Sequence, residues 1–143
     1  MGTPARRVPA LVALMVVIAA GLATHRLLPS SAATDIAGDA LYAVAAYAGL
    51  VVLLPRLRSA AVAAIATGWC LAVELFQATG IPLVLAERFA PIALVLGTGF
   101  DARDLLVYVA AVAAVWAIDG AVRRRTLLPT TAPTDRPGES TVG

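Results

Sequence analysis

Four runs of apolar residues, each close to the thickness of a bilayer core when helical, organise this chain. They extend from Val8 to Leu28, Ala40 to Leu54, Ala60 to Phe76 and Leu105 to Ile118. A membrane-crossing helix needs about 20 predominantly apolar residues. The second and fourth runs reach that length once a turn is added at either end, as Ile36–Leu57 and Asp101–Val122. None of the runs alternates apolar with polar positions, and all are rich in Ala, Val and Leu. Backbone groups in lipid must be satisfied within the segment itself, so the pattern predicts helices rather than barrel strands. The spans are placed at residues 8–28, 38–55, 59–77 and 103–122, within a membrane domain of residues 1–125. The fold class expected is all-α, an integral membrane four-helix bundle.

The stretch from Ile81 to Phe100 is the ambiguous one. It is apolar apart from Glu87-Arg88 at its middle, and Pro82 and Pro91 interrupt it. A fifth span, an interfacial hairpin and two re-entrant half-helices all fit its composition. Charge bias decides the span count. With four spans and the amino terminus inside, Arg6, Arg7, Arg56, Arg58, Arg123, Arg124, Arg125 and Arg136 fall on the cytoplasmic side, and only Arg26, Arg88 and Arg103 fall outside. That partition follows the positive-inside rule at every loop. A fifth span would export the Arg123–Arg125 cluster and bury Glu87-Arg88. The segment between the third and fourth spans therefore stays interfacial or re-entrant. The first run also resembles a signal peptide, with Gly21-Leu22-Ala23 as a cleavage site, but its apolar core is long for that role and it is read as an uncleaved span. Residues 126–143 are rich in Pro, Thr and Gly and are expected to form a disordered cytoplasmic tail.

Composition narrows the function classes. The chain is 60% hydrophobic and 14% charged, well away from the roughly 25% charged residues of soluble domains. No basic stripe with interleaved aromatics is present, so nucleic acid is not an expected partner. Cys70 is the single cysteine and His25 the single histidine, which excludes an intramolecular disulfide and argues against a metal site. No cofactor is expected; the partners expected are membrane lipids. Nothing in the sequence sets an oligomeric state.

The polar residues collect at one membrane boundary. Glu74 stands near the end of the third run, where a carboxylate is costly and disfavoured by the helix carboxy terminus. Gln77 is three residues on, on the same face. Asp101, Asp104 and Tyr108 share one face of the fourth span, and Asp39 lies with Tyr42 at the start of the second. Arg88 and Arg103 fall at the same depth. The candidate ligand-binding pocket is accordingly Glu74, Gln77, Arg88, Asp104, Asp39, Tyr108 and Arg103, opening outward. The bland alternatives are specific too. The aspartates can cap helices, the arginines can reach headgroup phosphates, the tyrosines and Trp116 can sit in interfacial belts, and Glu74 can form a structural ion pair with Arg88 or Arg103. Trp69 is expected to pack against a neighbouring helix, and Gly97 and Gly99 to form a turn.

Taken in order, Gly38-Asp39-Ala40-Leu41-Tyr42, Glu74-Leu75-Phe76-Gln77, Arg88, Gly97-Thr98-Gly99-Phe100 and Asp104-Leu105-Leu106-Val107-Tyr108 resemble a family of small bacterial membrane proteins, domain-of-unknown-function family 2809. The resemblance extends over about Ala10 to Arg123. Tyr42 stands where that family usually has tryptophan, and Ala110-Ala111 where a glycine is common. The order of E-x-x-Q, arginine and aspartate is also similar to the VanZ-like proteins, although the asparagine and glycine usual there are missing. The resemblance implies a fold and a polar constellation, and no reaction.

The function expected first is binding of an envelope lipid, a lipid-linked precursor or a partner protein in the plasma membrane of a bacterium, with both termini cytoplasmic. An enzyme acting on an amphipathic envelope substrate, with Glu74 and Asp104 as acid and base, is the alternative; no nucleophile signature accompanies it. A transporter or channel subunit is the third reading. In the purely structural case, small residues such as Gly49, Ala63, Gly68 and Ala72 would make the helix contacts.

Overall fold

The computed structural model describes residues 3–97 and 99–127, with side chains described from Arg6 to Arg125. Most of the expected tail, including Arg136, lies outside the described residues. Six helices follow in order: α1 Thr3–Leu27, α2 Ala32–Leu53, α3 Ser59–Gln77, α4 Ile81–Arg88, α5 Ile92–Leu96 and α6 Ala102–Leu127. No strand occurs among the described residues. The helices α1, α2, α3 and α6 are long and apolar enough to cross a membrane, over 22, 22, 19 and 24 residues. The structure is therefore an all-α four-helix membrane bundle carrying two short helices between the third and fourth spans.

Local chemistry sets the ends. Helix α2 begins at Ala32, six residues before the span placed from hydropathy. Ser31 and Thr34 form a reciprocal cap there, with Ser31 N–H donating to Thr34 Oγ1 at 2.9 Å and Thr34 N–H to Ser31 Oγ at 3.3 Å. Asp39 thus lies more than a turn inside α2 and caps nothing. At α6 the cap is Asp101, whose Oδ1 accepts from Arg103 N–H at 2.8 Å. After Gln77 the chain turns through Gly80, at φ 73°, directly into α4.

Helix α2 is the hub, packing against α1, α3 and α6, while α3 also packs on α6 and α4. The core repeats at four-residue intervals: Ala43, Tyr47 and Val51 on α2; Val62, Ala66 and Cys70 on α3; Tyr108 and Val112 on α6. Each row is one helix face, because residues four apart stack over one another. Helix α1 has no buried side chain among those described and packs mainly on α2. The glycines expected at helix contacts are not there: a Cβ added at Gly49 or Gly68 would meet nothing within 4 Å. Trp69 is likewise half exposed; only its indole N–H is engaged, donating to Tyr42 Oη at 2.9 Å.

Candidate functional site

The same four-residue rows that build the core run on into carboxylates at one end of the bundle. Val62-Ala66-Cys70 continues to Glu74, Ala43 is preceded by Asp39, and Tyr108 by Asp104. Glu74 is therefore aimed into the helix interface and is completely buried, with Asp104 9% and Gln77 8% exposed. This acidic end brings together five of the seven sequence-derived candidates, in a cluster held by α2, α3 and α6, with Gln77 at its edge.

Tyr108 sits at the centre. Its hydroxyl donates to Glu74 Oε1 at 3.0 Å and lies 3.4 Å from Asp39 Oδ1. The second oxygen of Glu74 accepts from the backbone N–H of Asp101 at 3.4 Å. Asp104 is close enough to Asp39 for the two carboxylates to repel. The only cation near these groups, among the described residues, is Arg103, at 3.5 Å from Asp101 and 3.6 Å from Asp104. Glu74 itself meets no arginine: the ion pair expected with Arg88 or Arg103 is replaced by the Tyr108 phenol. A phenol has one proton, so it cannot serve Glu74 and Asp39 together. Asp104 Oδ1, buried, faces Arg103 Nε at 3.6 Å and has no closer hydrogen-bond donor among the described residues. The cluster is rich in acceptors and short of donors.

Gln77 braces the loop. Its Nε2 donates to the carbonyl of Leu96 at 2.6 Å, and its Oε1 is buried without a partner among the described residues. The close approach depends on Gly97, at φ 66° and ψ −175°, a region essentially restricted to glycine. Arg88 stands apart. It ends α4 exposed, without a hydrogen bond or ion pair among the described residues.

A second polar cluster occupies the opposite, basic end, and hydropathy alone misses it, because Asp119 reads there only as the border of a span. Asp119 Oδ2 accepts from Ser59 Oγ at 2.6 Å, Tyr47 Oη at 2.8 Å and Arg6 Nη2 at 2.8 Å. Arg6 also donates to the carbonyls of Leu57 at 2.6 Å and Pro55 at 3.2 Å. Arg123 donates to Ser59 Oγ at 2.9 Å. A signal for it does exist in the sequence: Asp119 is an ionisable residue in an apolar helix, the same criterion that singles out Glu74.

The chain belongs to the family described as protein of unknown function (DUF2809), whose profile matches residues 28–112. The match begins after α1 and stops before Asp119, so it is shorter at both ends than the resemblance read from motifs. All seven candidate residues of the acidic end lie inside it; Arg6, Asp119 and Arg123 lie outside. No curated protein and no solved structure matches the chain.

Proposed function

We propose that this DUF2809 protein is a binding protein of the bacterial plasma membrane whose acidic end receives the amine of an amphipathic envelope molecule. The arginine distribution orients it with both termini in the cytoplasm and the acidic end outward. One observation carries the reading: Asp39, Glu74 and Asp104 gather around a single phenol, with one arginine shared between Asp104 and Asp101. A primary ammonium offers three donors and a positive charge, which is what such a cluster lacks. Asp39 and Arg103 are its partly exposed members and form the entrance. An incoming amine would take the place of the Arg103 guanidinium beside Asp104. Arg88, exposed and unengaged on α4, would meet an acidic part of the same ligand. Aminophospholipids and lipid-linked precursors with a free amine both satisfy this chemistry.

The test uses protein extracted from vesicles containing phosphatidylethanolamine and phosphatidylglycerol, with retained lipid counted by native mass spectrometry. Wild type should hold the amine lipid preferentially. Glu74→Gln and Asp39→Asn should each weaken that preference on the order of tenfold, the value of one charge-assisted hydrogen bond. Equal preference in wild type and both variants would remove the proposal.

A further inference from the structure

A space that the acidic end does not account for lies at the other end. A cleft of about 740 Å³ lies between α1 and α6, floored by Tyr47, Ala48 and Val51 of α2. It is within the roughly 300–1,000 Å³ typical of small-ligand sites. It exists because α1 packs mainly on α2 and meets α6 through the Arg6–Asp119 bridge at the basic end. Its walls are apolar: Pro9 and Ala13 on one side, Val115 and Ile118 on the other. Its rim is not. Four arginines, Arg6, Arg56, Arg58 and Arg123, line the cleft against one carboxylate, Asp119.

That carboxylate is already committed. Asp119 Oδ2 takes Arg6, Ser59 and Tyr47, and none of these bonds involves Arg56 or Arg58. Arg56 and Arg58, exposed in the turn between α2 and α3, make no ion pair or side-chain hydrogen bond among the described residues. Arg58 is also the N-cap residue of α3 and gives that helix no side-chain cap, so positive helix-end dipole adds to the arginine charge at the same place.

We infer that this cleft is a binding site for an anionic phospholipid of the leaflet facing the basic end. One acyl chain would lie along α2 between Ala13 and Ile118, and the phosphate would rest on Arg56 and Arg58. Apolar walls running lengthwise into a basic rim match an acyl chain joined to an acidic headgroup, and match neither a free anion nor a neutral lipid. The site is distinct from the acidic end in position and takes the opposite headgroup charge.

The full chain is placed in vesicles of phosphatidylcholine doped with phosphatidylglycerol, extracted, and its retained lipids counted by native mass spectrometry. Wild type should keep phosphatidylglycerol over phosphatidylcholine. Replacing both rim arginines, Arg56→Gln with Arg58→Gln, should weaken that retention about 30-fold, from about 1 kcal/mol per basic residue at an anionic surface. Ala13→Phe, which fills the cleft without touching charge, should lower retention as well. Arg124→Gln with Arg125→Gln, removing equal charge outside the cleft, should leave it unchanged. The inference is overturned if the outer pair matters as much as the rim pair, if Ala13→Phe has no effect, or if inorganic phosphate alone displaces the lipid.

Discussion

Two carboxylates, the buried Glu74 and the half-buried Asp119, sit near opposite ends of the same bundle and are stabilised in opposite ways. Asp119 has an arginine, a tyrosine and a serine on one oxygen, and the arginine is further tied to two backbone carbonyls. Each of the three groups that donate to Asp119 would miss it. Glu74 has one phenol and one backbone N–H, and the carboxylates of Asp39, Asp101 and Asp104 for neighbours. The Arg6–Asp119 contact is a structural joint linking α1, α2, α3 and α6 beside the cleft. The carboxylates of the acidic end have fewer donors, the feature on which the proposed amine site rests. Burial alone would have ranked Glu74 as the more structural of the two; partner chemistry reverses that order.

Substitutions can break the comparison. The largest effect is expected for Asp119→Ala, which strands a mostly buried Arg6 and should lower stability by about 3 kcal/mol, read from denaturant unfolding in bicelles. Gly97→Ala comes next. Its new Cβ would lie 2.5 Å from Gln77 Nε2, on a backbone that other residues rarely adopt. Strain of about 1–3 kcal/mol, with weakening of the Gln77–Leu96 bond, should follow; faster hydrogen exchange confined to residues 89–101 would locate it. Glu74→Gln should then cost less than about 1 kcal/mol, because the amide still accepts from Tyr108 and no cation is orphaned. If Glu74→Gln proves as damaging as Asp119→Ala, the distinction between joint and site collapses. The smallest effect is expected for Tyr42→Phe, which removes the acceptor of the Trp69 indole and should cost roughly 0.6 kcal/mol, typical of hydrogen bonds within membrane proteins; a changed tryptophan emission maximum would report it.

Much of the acidic end is legible in the sequence. Glu74 with Gln77, and Asp104 with Tyr108, are helix-face pairs, and hydropathy puts their helices in antiparallel order. The pairing between helices is not legible there. Spacing places Glu74 on a face, but the rotation of α3 against α6 decides whether that face meets Tyr108 or Arg103, and rotation depends on how Val62, Ala66, Tyr108 and Val112 interlock. Arg88 groups with the site by depth alone. The turn at Phe89 and Pro91 leaves it at the exposed end of α4. At the basic end, Arg6 and Asp119 are 113 residues apart, and no local pattern links them.

What the sequence determined by itself is the set of four membrane helices, their antiparallel order and the polarity of the two ends. Those follow from hydropathy and charge, which act residue by residue against the solvent and the bilayer. What only the tertiary structure decided is who meets whom: Tyr108 between Glu74 and Asp39, Arg6 on Asp119, and a cleft where α1 stands off from α6. Contacts of that kind depend on the rotation and separation of packed helices, and these are set jointly by side chains far apart in the chain.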